Sequence, residues 1–303
     1  MENYIELNLV LGIMLFVAGI LAGLINVLAG GGTAIPIVIL TVMGIPANIA
    51  NATVRPGMLS AAMTSTYGFI KTGAFDWKTA FKLGLFAVPG GILGAFFLHW
   101  TPAPIFQKIL AIVIIFLGVS LFIPMKIDTN TKPAGKWFKR ISMVFAGIYG
   151  GFIQAGVGLV QMFIFRFFGK MSPVELNGYK MLHNFMFSFP ALVVFIALGM
   201  LDGLWVHALI VVAGCIVGGK LSVVASVKCG PLAIKISTAV ILVFMVVMLV
   251  ARNNVENFLR DNIADKSAVV SHEIECSAHH IYEDVTDSFY EPFAEEKEEQ
   301  TED

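Results

Sequence analysis

Long apolar runs separated by short polar stretches set the rhythm of this chain. About 20 apolar residues are needed to cross the hydrocarbon core of a bilayer, and runs of that order lie at about 8 to 28, 79 to 98, 104 to 123, 182 to 199, 205 to 225 and 231 to 251. Shorter ones lie at about 33 to 44, 56 to 70, 141 to 153 and 157 to 168. The runs that follow "GGG" and "GVG" reach only about 12 residues, or about 18 Å of helix, too short to span a bilayer unaided. The pattern predicts an all-α integral membrane bundle of about eight spanning helices plus two short broken or re-entrant helices.

The first short run opens with "NVLAGGGTAIPIVIL", Asn26 to Leu40. Glycine inside a helix costs roughly 1 kcal/mol relative to alanine, so Gly30, Gly31 and Gly32 together predict an interruption. Pro36 is acceptable in a first helical turn, which puts the start of the next helix at about Thr33.

Composition turns this pattern into a class. Apolar residues make up 57% of the chain and charged ones 14%, against about 25% charged in soluble domains; only a membrane protein fits. Up to Val250 there are 16 Lys/Arg against 6 Asp/Glu, and beyond it 4 against 15. A basic membrane body thus precedes an acidic tail, 252–303, whose composition predicts disorder. Cys215, Cys229 and Cys276 show no metal or redox spacing and are expected to be unpaired thiols.

The chain also matches itself at an offset of 126 residues: Gly30 falls on Gly156, Gly32 on Gly158, Asn51 on Asn177, Gly73 on Gly199 and Asp76 on Asp202. After a two-residue slip, "GGILG" (Gly90 to Gly94) aligns with "GCIVG" (Gly214 to Gly218), two Gly-x-x-x-Gly motifs suited to close helix packing. The expected organisation is therefore a first transmembrane repeat, 1–123, a basic cytoplasmic linker, 124–140, a second repeat, 141–251, and the tail. Five Lys/Arg in "MKIDTNTKPAGKWFKR" put the linker in the cytoplasm. If the short runs turn back, the halves are parallel; if they cross, the halves are inverted. Loop charges fit the second arrangement and the shortness of the runs fits the first, so both stay open.

Irregular backbone at membrane depth must be buried in protein or line a wet cavity. A glycine turn leading into a helix presents free N–H groups and the positive end of the helix dipole, which favour an anion. Gly30, Gly31, Gly32 and Thr33 in the first half and Gly156 and Gly158 in the second are the candidate anion-binding positions, with close packing as the alternative. Nearby, Arg55 and Lys180 can pair with a substrate charge or anchor at lipid headgroups. Asn51 and Asn177 can donate to an anion or cap a helix, and Gln154 lies just before Gly156. His183 can carry a coupling proton or make a structural hydrogen bond.

Absences narrow the chemistry. The acids of the membrane body, Glu2, Glu6, Asp76, Asp128, Glu175 and Asp202, all fall at ends or in loops, which disfavours a cation pump. No metalloprotease, serine hydrolase or P-loop sequence occurs. In the tail, His272, Cys276, His279 and His280 share helical spacing, either as metal ligands or as a chance cluster. No catalytic residue, metal, cofactor or nucleic-acid partner is expected; the expected partners are a small anion, the lipid bilayer and a coupling proton.

Three stretches carry a resemblance: "GLINVLAGGGTAIPIVILTVMGIPANIANAT", "GFIKTGAFDWKTAFKLGLFAVPGGILGAFF" and "GGFIQAGVGLVQMFIF". Together they resemble the TauE/SafE sulfite exporter family over most of residues 10 to 250. The resemblance implies a duplicated helical bundle that moves sulfite, thiosulfate, sulfoacetate or similar anions without ATP hydrolysis. The sequence departs from the usual family pattern at "QAGVG" and in lacking a further glycine before the first triplet. The expected function is thus a secondary transporter, exporting a small sulfur-containing anion across the cytoplasmic membrane. The alternative is a membrane scaffold or assembly protein whose glycines only pack helices.

Overall fold

The computed structural model of the chain describes residues 9–122, 134–169 and 171–228, all within a compact unit that runs from Met1 to Met245. Among these residues the regular structure is helical: α1 (Leu9–Leu28), α2 (Ala34–Val42), α3 (Ala47–Thr53), α4 (Arg55–Lys71), α5 (Trp77–Gly84), α6 (Ala87–Trp100), α7 (Ala103–Phe122), α8 (Lys136–Phe152), α9 (Val157–Phe165), α10 (Pro173–Ala197) and α11 (Trp205–Lys228). The 231 to 251 run, the tail with its His272, Cys276, His279 and His280 cluster, and residues 124–133 of the linker lie outside the described residues.

Three of these helices are long and apolar enough to cross a bilayer alone: α1 from Leu11, α10 and α11. The 79 to 98 run, expected as one span, is instead two helices, α5 and α6, bent by 45° at Leu85 and Phe86; counted as one broken span they make a fourth. Where the 182 to 199 run suggested a helix, α10 begins nine residues earlier. Ser172 caps it in a reciprocal box with Glu175, and Pro173 takes the first turn, where its missing N–H is harmless. The helix α8 starts at Lys136, inside the stretch read as linker, so Lys136, Lys139 and Arg140 lie on its first turns.

The outside of the bundle is oily and the inside is partly polar, the reverse of a soluble fold. On α10, Phe189 is 54% exposed and Val193 53%, while Asn177, Lys180, His183, Asn184 and Ser188 on the same helix are buried. Among the described residues the acids, Asp76, Glu175 and Asp202, sit at helix ends and turns, as the sequence suggested. Asp76 caps α5, accepting from the amides of Lys78 and Thr79 and from the Thr79 hydroxyl, and these bonds hold its carboxyl below the usual range.

Glycine sets how closely the long helices approach. The motif Gly90/Gly94 of α6 lies on α8, where a Cβ at either position would collide with the carbonyls of Val144 or Ile148. The motif Gly214/Gly218 of α11 lies on α1, where the colliding carbonyls would be those of Phe16 and Ile20. The facing helices answer with glycines of their own: Gly147 and Gly151 against Ala87 and Gly91, and Gly19 and Gly23 against Val211 and Cys215. Such contacts let backbones meet at van der Waals distance, which drives helix association where lipid leaves no hydrophobic incentive. Cys215 is a free, buried thiol in the second of these seams.

Candidate functional site

Both expected interruptions are present. After α1 the chain turns at Gly30, whose φ of +85° is open to glycine at little cost, and after α8 it turns at Gly156, with φ of +78°. Each turn leads into a nine-residue helix, α2 or α9. Residues 29–35 and 153–158 are all buried, so neither turn faces lipid. The two turns lie against each other, because a Cβ on Gly30 would strike the Gly158 backbone and one on Gly158 would strike Gly30. Among the described residues the amides of Gly31, Gly32, Thr33, Gly156 and Gly158 find no backbone acceptor. The hydroxyl of Thr33 and both side-chain polar atoms of Asn26 are buried and unpartnered beside the first turn.

Arg55, fully buried at the start of α4, is engaged by protein. Its Nη1 donates to the Gly150 carbonyl at 2.6 Å and to the Gln154 side-chain oxygen, and its Nη2 donates to the Gly151 carbonyl at 2.9 Å. One turn earlier, the Asn51 Nδ2 donates to the Phe152 carbonyl at 3.1 Å. These three carbonyls are among the last of α8, which no intrahelical donor satisfies. A guanidinium at a helix C-terminus also meets the negative end of the dipole. The Gln154 Nε2 and the Arg55 Nε stay unpartnered.

Lys180 has no such arrangement. Its ammonium is buried at 0% exposure with no hydrogen-bond partner. Asn177, one turn before it, donates to the Ser226 Oγ at 3.0 Å. On the far side, the Gln161 Nε2 bridges to His183 Nδ1 and Asn184 Oδ1, both at 2.6 Å, which ties α9 to α10. Among the described residues, Arg55 and Lys180 are the buried charged side chains, and neither faces a buried carboxylate. Water-filled or anion-filled space is the ordinary remedy for buried donors left unpaired, since each otherwise costs about 1–3 kcal/mol.

The structure therefore gathers Gly30, Gly31, Gly32, Thr33, Gly156 and Gly158 at one place, and groups Asn51 and Arg55 with Gln154 at the end of α8. Asn177, Lys180 and His183 belong to a separate stretch of α10. The Arg55 guanidinium lies 5.2 Å from the Phe195 ring centroid, and Phe195 is fifteen residues beyond Lys180 on α10. At 1.5 Å per residue the Lys180 and Phe195 backbone positions are about 20 Å apart along that helix. The sequence reading passed over Gln161, Asn184 and Ser188. Their signal was available: with Asn177 and Lys180, the polar positions Asn184 and Ser188 recur at helical spacing, but a hydropathy reading that starts the span at 182 cuts the series. No group of three or more His, Cys, Asp or Glu able to hold a metal occurs among the described residues.

The family model described as sulfite exporter TauE/SafE matches residues 15–249. The chain belongs to the TauE/SafE family. The chain is similar to a protein of Haemophilus influenzae named "Probable membrane transporter protein", 26% identical over 217 residues, covering 69% of this chain and 82% of the relative. A Sinorhizobium sp protein named "Probable membrane transporter protein ORF9" is 25% identical over 211 residues, covering 68% and 79%. The Escherichia coli K12 protein "Probable membrane transporter protein YfcA" is 26% identical over 218 residues, covering 70% and 79%. No solved structure matches the chain. Family membership and the apolar helices together make this a multi-pass membrane transporter of the TauE/SafE type.

Proposed function

We propose that the protein is a secondary transporter that exports a small sulfur-containing anion, such as sulfite or an organosulfonate, across the cytoplasmic membrane. The observation that carries this reading is a pair of buried cations, Arg55 and Lys180, without a buried carboxylate among the described residues. A cation that no protein acid neutralises calls for a mobile anion. Free amides at the touching turns, those of Gly31, Gly32, Thr33, Gly156 and Gly158, add a neutral cradle suited to an oxyanion. Asn51, Gln154, Asn177 and His183 complete the proposed set, with His183 as the proposed carrier of a coupling proton.

The reading includes two homologous repeats, 1–123 and 141–251, and the glycine seams support it. Gly94 of α6 meets Ile148 and Phe152 of α8, and Gly218 of α11 meets Ile20 and Leu24 of α1. Each half thus lends its Gly-x-x-x-Gly helix to the opening helix of the other, as expected if the halves are copies. Alternating access then follows from one repeat rocking against the other around the contact of the two turns.

Proteoliposomes containing the purified protein test this directly. Loaded against sulfite, thiosulfate, sulfoacetate and unrelated carboxylates, with and without a pH gradient, they are expected to show saturable flux of the sulfur oxyanions. Lack of flux for every anion would leave the glycines as packing devices and the protein as a scaffold.

A further inference from the structure

One face of α10 carries polar side chains at every turn. Asn177, Lys180, Asn184 and Ser188 are spaced by three, four and four residues, which at 100° per residue keeps them within about 80° of one another. All four are buried, between 0% and 1% exposed. Each leaves a polar atom unpartnered: Asn177 Oδ1, Lys180 Nζ, Asn184 Nδ2 and Ser188 Oγ. The same face continues through the small Ala191 to Phe195, over which Arg55 lies.

The free atoms have a chemical bias. Gln161 occupies the Asn184 oxygen, which leaves the Asn184 nitrogen to donate outward. Gln154 spends its oxygen on Arg55 and likewise keeps a free nitrogen. With the Lys180 ammonium, the Ser188 hydroxyl and the Arg55 Nε, most unpartnered groups from Lys180 to Arg55 can donate, the Gln161 Oε1 beside Asn184 being an acceptor among them. A line of donors accepts an oxyanion and repels a metal cation or an ammonium. Interhelical hydrogen bonds account for the Asn177 nitrogen and the Asn184 oxygen, but not for the Lys180 Nζ, the Asn184 Nδ2 and the Ser188 Oγ, which no helix neighbour satisfies.

We propose that this face of α10 is the translocation path, with Lys180 near its start and Arg55, over Phe195, near its end as two anion stations and Asn184 and Ser188 as the donors between them. The proposal rests on the transporter reading and adds its route and its charge filter. In this conformation the stations are closed to solvent, and the rocking of the halves opens them one at a time.

Cysteine labelling tests the route. In a background with Cys215, Cys229 and Cys276 replaced by alanine, Ser188→Cys, Asn184→Cys and the lipid-facing control Phe189→Cys are reconstituted and treated with small methanethiosulfonate reagents of either charge. Ser188→Cys and Asn184→Cys are expected to react with the anionic reagent about tenfold faster than with the cationic one. Sulfoacetate is expected to slow that reaction, and Phe189→Cys to stay unmodified. Inert cysteines at both 184 and 188, or equal rates for the two reagents, would overturn the route. Anion flux through the cysteine-free parent is measured on the same vesicles. A parent that carries no anion refutes the transport reading, whereas a transporting parent with inert path cysteines refutes only the route.

Discussion

Arg55 and Lys180 are both buried cations, yet their surroundings assign them opposite energetic roles. Arg55 satisfies the Gly150 and Gly151 carbonyls at the end of α8. Replacing it with methionine strands three buried acceptors, these two carbonyls and the Gln154 side-chain oxygen, at about 1–3 kcal/mol each, so the Arg55→Met protein is expected to melt well below the parent in detergent. Lys180 meets no protein partner, and Lys180→Met removes an unpaired charge. That variant is expected to melt at or above the parent, with a gain of up to about 1–3 kcal/mol. Thermal unfolding followed by tryptophan fluorescence reads both, and shifts of the same sign would contradict the assignment. The sequence identified both residues as candidates but could not separate them, because the bonds that occupy Arg55 reach residues 95 to 99 positions away.

At the level of elements, the glycines were the most legible feature. The triplet and its partner "GVG" gave two interruptions, and each is followed by a nine-residue helix. The bend between α5 and α6 was not legible, since Leu85 and Phe86 are as apolar as their neighbours and hydropathy carries no angle. The first two turns of α10 were missed for a different physical reason. Asn177 and Lys180 read as polar boundary residues, but they face the protein interior and not water. Helix seams yield a matched prediction: Gly94→Ala and Gly218→Ala each push a methyl into a facing carbonyl and are expected to destabilise by about 1–3 kcal/mol. Gly12→Ala, whose new methyl would meet only the Ile210 side chain at 3.8 Å, is expected to be neutral or slightly stabilising. Comparison of melting temperatures for the three variants checks this, and a tolerant pair of seams would show that the two helix contacts are looser than described.

For the molecule as a whole, the class was written in the composition, and the family in three stretches of sequence that the TauE/SafE match now extends over residues 15–249. Long-range geometry was out of reach of the sequence: nothing in the residue order says that Gly30 and Gly158 touch, or that Arg55 of α4 lies over Phe195 on the helix that carries Lys180. That geometry turns a list of candidate residues into a path with a donor-lined interior. Its most direct test is anion flux in proteoliposomes for the parent and Lys180→Met side by side, with orientation and protein content matched. The account predicts saturable sulfite or sulfoacetate flux through the parent and a loss of at least about tenfold in the variant, corresponding to 1.4 kcal/mol or more. Equal flux through the two proteins would contradict it.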